Sequence, residues 1–390
     1  MILNGFCYKK RGNMIPYMVL FSIISINAIF VDRFIKTKNN RVAYFIAVIS
    51  ILLLSIFAGI RDDNVGVDIP YYILPVFSWA QNLDFGDFMK AGNLESGFLL
   101  LMYFSTKLFN DYHVALFCMQ AIVSTCFFIY AFKQKENTSI FLIIMTFLFV
   151  FFNNTLTMMR QTVATSLLLL SICFLKEKKY LVVGLLFISA LLFHSTAIIM
   201  IVPYAIFIVN TTDCFSKRNK SFINSLIIIA FLIFGLMYKE IVYTLVYKMQ
   251  LLSERYYSYF ESDYYGANVI SKSGLVFRMI FVVFANMIDK KEKTNETKSY
   301  LMFLYIELLV FILSYKIGPL MRAGFYFTYP AYMYIIPRIP CLFKKDRKNQ
   351  VSIRALLLIF LFIMWWFTNV LNNEGGQTCP YTSQIFENLF

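Results

Sequence analysis

Charge is scarce in this chain. Asp, Glu, Lys and Arg make up 15% of its 390 residues, while 59% are hydrophobic. A soluble domain carries about 25% charged residues, so apolar surface on this scale cannot be hidden in one water-soluble core of this length. Histidine is scarcer still, with His113 and His194 the only two. The seven cysteines show no metal or redox spacing, and Cys118, Cys126 and Cys173 lie inside apolar runs, where cysteine usually serves as a small hydrophobe. There is no Gly-rich phosphate loop, no Gly-x-Ser-x-Gly elbow, no His-Glu-x-x-His and no Asp-x-Asp pair. These absences argue against an ATP-driven pump and against a transferase that holds a nucleotide sugar through a metal. No metal site and no cofactor are expected. A cleavable leader is not evident either: Lys9, Lys10 and Arg11 precede an apolar run, but Asp32 and Arg33 follow it with no small-residue cleavage site.

What the chain has in abundance is long apolar runs. Phe (43) and Tyr (26) are plentiful and the mean hydropathy is +0.65. Apolar segments lie near 14–31, 42–60, 97–110, 114–132, 139–152, 161–175, 180–193, 195–209, 222–238, 274–288, 299–315, 323–339 and 352–371. They are continuous rather than alternating, which favours helices over a β-barrel. The expected fold is all-α, a polytopic transmembrane bundle of about 11–13 segments in a single integral membrane domain spanning 1–390. Several segments fall short of the roughly 20 residues a perpendicular helix needs, so some are expected to be half-helices or re-entrant.

The net charge of +14 is explained by membrane orientation rather than by nucleic acid, since no basic patch is long enough to neutralise a run of phosphates. Loops 32–41, 133–138, 176–179, 213–220, 289–298 and 338–348 hold 21 basic residues in 49 positions; the opposite set holds 9 in 105. The basic set is therefore assigned to the cytoplasm. This leaves a conflict over 96–132, which should cross an odd number of times yet reads as two segments. Residues 180–209 lie between two basic loops and must go out and return, which places a turn at His194-Ser195 near the outer face. Two long hydrophilic connections, 61–95 and 239–273, also fall outside. The second is rich in Tyr and acids around Tyr256–Tyr265, which suits either a carbohydrate surface or an interfacial aromatic belt.

Charges near the membrane are costly and merit a functional reading. Arg61, Arg160, Arg278 and Arg322 all fall on the expected outer side, and Arg255 lies in the second outer loop. A snorkelling arginine at a helix end is the plainer account of any one of them. As a set they suit diphosphate recognition, because the guanidinium is a planar, permanently charged fork. His194, at its expected turn, could take a proton from a sugar hydroxyl or pair with phosphate; His113 reads as structural. Asp68 and Glu95 are the carboxylates nearest segment starts, able to act as base, to orient a histidine or to neutralise an arginine.

The stretches Arg61-Asp62, Val65-Gly66-Val67-Asp68 with Tyr71, Glu95-Ser96-Gly97-Phe98, Met159-Arg160-Gln161-Thr162-Val163-Ala164 and Phe193-His194-Ser195-Thr196-Ala197 resemble, in order, the EpsG family of Wzy-type polysaccharide polymerases. The pattern continues through Met321-Arg322-Ala323-Gly324-Phe325-Tyr326-Phe327 to Pro380-Tyr381-Thr382-Ser383-Gln384, covering the chain from about residue 44 onward. Two departures stand out: Val67 replaces the usual threonine, which weakens any hydroxyl role there, and Ala323 replaces an isoleucine. The resemblance implies a bacterial plasma-membrane glycosyltransferase acting on undecaprenyl-diphosphate-linked repeat units at the outer face. It implies catalytic roles for His194, Arg160, Arg61 and Arg322 and substrate contacts from Asp68, Glu95, Arg278, Arg255 and Tyr71. The lipid bilayer, the carrier-linked glycan, a chain-length regulator and a flippase are the expected partners. A flippase of lipid-linked oligosaccharide is the alternative function, sharing the cavity and arginines without needing proton transfer at His194.

Overall fold

The computed structural model describes residues 14–244, 248, 272–314, 320–343, 347–372 and 376–387. Arg255, and with it most of the Tyr-rich loop, lies outside the described residues. No strand occurs among those described. A chain of continuous apolar runs can satisfy its backbone within lipid only as helices. Seven helices among the described residues are long and apolar enough to cross a membrane. The chain forms two compact units, residues 1–197 with 345–390 and residues 198–344.

The first unit starts with α1 (Ile15–Lys36) and α2 (Asn40–Gly59), then a π turn Ile69–Ile73 leading into α3 (Leu74–Asn82), α4 (Phe85–Ala91) and α5 (Ser96–Phe109). Next come α6 (His113–Lys133), α7 (Ile140–Thr146), a π turn Phe147–Phe151, α8 (Phe152–Thr157), α9 (Met159–Lys176) and α10 (Tyr180–Phe193). The long helices pack in a series, α1 on α2, α2 on α6, α6 on α9 and α9 on α10. α2 comes close to α6 at Gly59, where an added Cβ would lie 3.1 Å from that of Phe117.

The basic loops of this unit gather at one end. Asp32 accepts from the Ile140 amide at 2.9 Å, and Glu177 pairs with Lys133 at 2.5 Å and Lys179 at 2.7 Å. At the opposite end α2, α8 and α10 finish and α9 begins. There an aromatic core of Tyr17, Phe21, Phe57, Phe152, Trp365 and Tyr381 interlocks largely edge to face. The polar tips of its Tyr and Trp members are satisfied: Tyr17 Oη donates to the Thr378 carbonyl at 2.6 Å and Trp365 Nε1 to Asn153 Oδ1 at 2.7 Å.

The conflict over 96–132 resolves through α5. Its start touches the end of α10, since an added Cβ on Gly97 would lie 2.8 Å from the Leu192 carbonyl. Just beyond its end, Asn110 accepts from Gln81 at 2.9 Å and the Tyr112 hydroxyl bonds Asp63, beside the end of α2. Both ends of α5 thus rest on the end of the bundle opposite the basic loops. At 14 residues, about 21 Å long, it lies across that end, and α6 alone crosses.

The second unit holds α11 (Ile201–Thr211), α12 (Lys217–Leu236), α13 (Tyr238–Tyr243), α14 (Lys272–Glu292), α15 (Asn295–Leu313), α16 (Leu320–Ile335) and a 3-10 stretch Ile336–Phe343. Ser216 and Thr294 cap α12 and α15 with side-chain oxygens. The remaining helices, α17 (Arg347–Trp365) and α18 (Gln384–Glu387), belong to the first unit.

Candidate functional site

The loop after α2 is held by its own arginine. Arg61 is 1% exposed. Its Nε donates to the Val65 carbonyl at 3.0 Å, Nη1 to the Ala58 carbonyl, and Nη2 to the Leu156 carbonyl at 3.1 Å and to Met159 Sδ at 2.9 Å. Every nitrogen of the fork is therefore occupied by protein. The expectation that Arg61 holds diphosphate gives way to a scaffold reading: it ties the 58–65 turn to the end of α8. Gly66 completes the tie, because its φ of +97° and an added Cβ 2.1 Å from the Leu156 carbonyl leave no room for a side chain.

The tail motif belongs to the same construction. Tyr381 stacks on Phe57 at 4.0 Å and donates to its carbonyl at 2.7 Å. The Gln384 amide donates to Asp62 at 2.7 Å, and the Gly66 amide to the Gln377 carbonyl at 2.9 Å. Residues 377–384 clasp the Arg61 loop from the far end of the sequence.

Arg160 is built differently. It is the second residue of α9, a poor place for a cation by the helix dipole, and the Asp68 carboxylate, accepting from the Met159 amide at 3.2 Å, offsets that cost. Its side chain pairs with Glu95 at 2.5 Å, in a setting where the two side chains are 10% and 9% exposed. The guanidinium carbon lies 4.4 Å from the centre of the Tyr72 ring and 5.3 Å from that of Phe98, both within cation–π range. Among the described residues the fork is bonded at one nitrogen only.

Glu95 precedes α5 and connects two elements. One oxygen meets Arg160; the other accepts from the Ser195 amide at 3.1 Å and hydroxyl at 3.2 Å. Burial opposes its charge, but Arg160, His194 and the Ser195 amide prevail and hold the carboxyl below the usual carboxylate range. His194 ends α10 in an extended conformation, the turn falling where crossing parity put it, and its Nδ1 lies 2.6 Å from Thr196 Oγ1.

The structure thus brings Asp68, Glu95, Arg160 and His194 to one end of the first unit. Tyr71 does not join them: it is 72% exposed, and Tyr72 faces the arginine in its place. Arg278 and Arg322 belong to the second unit. Arg278 donates to Glu307 at 2.6 Å, lies 3.7 Å from the centre of the Phe311 ring and is neutralised between α14 and α15, so its role reads as helix pairing rather than substrate contact. Arg322 is exposed in the first turn of α16. Sequence reasoning missed Tyr72, Phe98, Ser195 and Glu307; a lone acid in the apolar run 299–315 was the available signal for the last.

A polytopic helical membrane protein with a shielded arginine–carboxylate centre at one end is the class these observations define. The chain belongs to the EpsG family, whose model matches residues 44–383; this is a family of Wzy-like polysaccharide polymerases, and the resemblance read from the six motifs is borne out. No curated protein and no solved structure matches the chain.

Proposed function

We propose that the protein is a membrane glycosyltransferase that polymerises undecaprenyl-diphosphate-linked oligosaccharide repeat units at the outer face of the bacterial plasma membrane. The observation that carries this reading is the state of Arg160: a permanently charged fork, shielded between two rings, bonded at one nitrogen among the described residues and close to a carboxylate and a histidine. Its place at the end opposite the basic loops supports the outer face, because basic loops are retained in the cytoplasm.

In this mechanism the hydroxyl of an acceptor unit attacks the anomeric carbon of the donor glycan. A new carbon–oxygen bond forms, the bond from that carbon to the diphosphate breaks, and its electron pair leaves on the lipid diphosphate. Arg160 stabilises the departing charge in a site that excludes most water. The hydroxyl proton passes to the imidazole of His194, whose Nδ1 and Thr196 Oγ1 lie 2.6 Å apart; the tautomer that donates Nδ1–H to Thr196 carries its basic lone pair on Nε2. Glu95 holds Arg160 and the 194–196 turn in register. The leaving group carries the energy of the reaction, so neither nucleotide nor metal is required.

The test is purified protein in liposomes with carrier-linked repeat units, scored for a ladder of polymer with chelator present and nucleotide absent. Arg160→Ala and His194→Ala are expected to abolish the ladder while the protein accumulates normally. Wild-type ladders from both would overturn the site. Passage of the carrier-linked unit across the bilayer with no new glycosidic bond would point to a flippase.

A further inference from the structure

The segment from the π turn Ile69–Ile73 through α5 leaves the bundle and returns at one end, and it exposes large apolar side chains at both its start and its finish. Tyr71 is 72%, Trp79 40%, Phe104 53%, Leu108 71% and Phe109 62% exposed. Phe104 and Leu108 stand one turn apart on one face of α5, and large apolar side chains grouped on an exposed face mark an interaction surface. Aromatic side chains on short helices at the end of a spanning bundle are favoured at the level of lipid headgroups, where the ring is apolar and its rim is wet. Lys107, exposed beside Leu108, suits the same level.

We propose that residues 69–109 form an in-plane platform seated at the boundary between headgroups and acyl chains of the leaflet at the Arg160 end, with the phospholipid surface itself as partner. The anchoring contacts already described keep both ends of α5 at that end, and α5 packs against α6 and α10, which cross the lipid. The platform also carries Tyr72 and Phe98, the two rings that flank Arg160. Seating it in the leaflet sets Arg160 near the depth of lipid phosphates, so a carrier diphosphate would reach the guanidinium by lateral movement. The proposal requires only that the bundle spans a bilayer, and it stands apart from the chemistry assigned to the site.

The test uses the full chain in phosphatidylcholine vesicles whose acyl chains carry bromine either near the headgroup or near the terminal methyl. The Trp79 signal is the difference between wild type and Trp79→Phe, and Phe109→Trp adds a second reporter at the far end of α5. Shallow bromines are expected to quench both reporters at least about twofold more than deep ones, as befits interfacial residues. Stronger quenching by deep bromines would show that this segment crosses the bilayer, and the proposal would fail. Quenching by aqueous iodide with none from either lipid would place the face in water, as a glycan or protein surface requires, and would equally overturn it. Neither reading depends on polymerase activity.

Discussion

Arg61 and Arg160 share a neighbour and do opposite work. Arg61 bonds the Met159 sulfur, and Arg160 follows Met159 in the chain. Both are almost fully buried, at 1% and 8% exposure. The difference lies in what accepts their protons. Arg61 meets three main-chain carbonyls and a thioether, which fix a turn and engage all three nitrogens of the fork. Arg160 meets one carboxylate and two ring faces, which hold the charge in place without using up the fork. Position relative to the membrane does not decide whether an arginine's fork is used up within the protein; the acceptors around it do.

The largest expected effect separates the two by kind. Arg61→Ala would strand three buried carbonyls at roughly 1–3 kcal/mol each, enough to consume much of a marginal stability. That variant is expected to accumulate poorly and to melt early in detergent. Arg160→Ala is expected to accumulate normally and to lose about a hundredfold or more in polymerisation rate, the scale of removing a fixed donor from a developing charge. A stable, inactive Arg61→Ala protein would reverse the assignment, as would an unstable Arg160→Ala one.

A middle-sized effect concerns Glu95. Its carboxyl is held below the usual carboxylate range in the folded protein, so the stabilisation it contributes is fully present above the unfolded value of about 4.3 and fades as pH falls through the lower folded value. Glu95→Gln replaces a charge-assisted bond with a neutral one, a loss of about 1.4 kcal/mol or roughly tenfold in rate. The variant should also lack the loss of thermal stability expected of wild type on acidification below about pH 4.3. Measuring melting against pH for both proteins decides it: the same acid limb in each would mean that another group titrates.

Much of this was legible in sequence, because membrane helices are written in composition. Each apolar run falls on a helix or its 3-10 or π extension, and the His194 turn follows from parity alone. The in-plane course of α5 was half legible: a run of 14 residues is too short to cross upright, but only the contacts of Gly97 with Leu192 and of Tyr112, just past its end, with Asp63 show where its two ends sit. The contrast between Arg61 and Arg160 was not legible. Both precede or open helices on the same side, and the carbonyls of Leu156 and Val65 leave no trace in side-chain identity. The clasp of the tail on residues 57–66 was hidden for a different reason, since it joins positions more than 300 residues apart.

The smallest effect distinguishes adjacent tyrosines. Sequence pattern favoured Tyr71, yet a π turn over Ile69–Ile73 advances each residue by less than an α-helix does, so neighbours change faces in a way periodicity does not foretell. Tyr72 lies over Arg160, while Tyr71 points away and is largely exposed. Losing one ring from a partly desolvated guanidinium is worth about 0.5–1.4 kcal/mol, or roughly two- to tenfold in rate. Tyr72→Leu should therefore slow polymerisation by that factor, chiefly through kcat, because the ring orients the charge that meets the leaving group. Tyr71→Leu should stay within about twofold of wild type, since surface changes of this kind are usually worth under 0.5 kcal/mol. The reverse order, with Tyr71→Leu the slower enzyme, would mean that the exposed ring touches substrate and that the cation–π contact at Tyr72 is incidental.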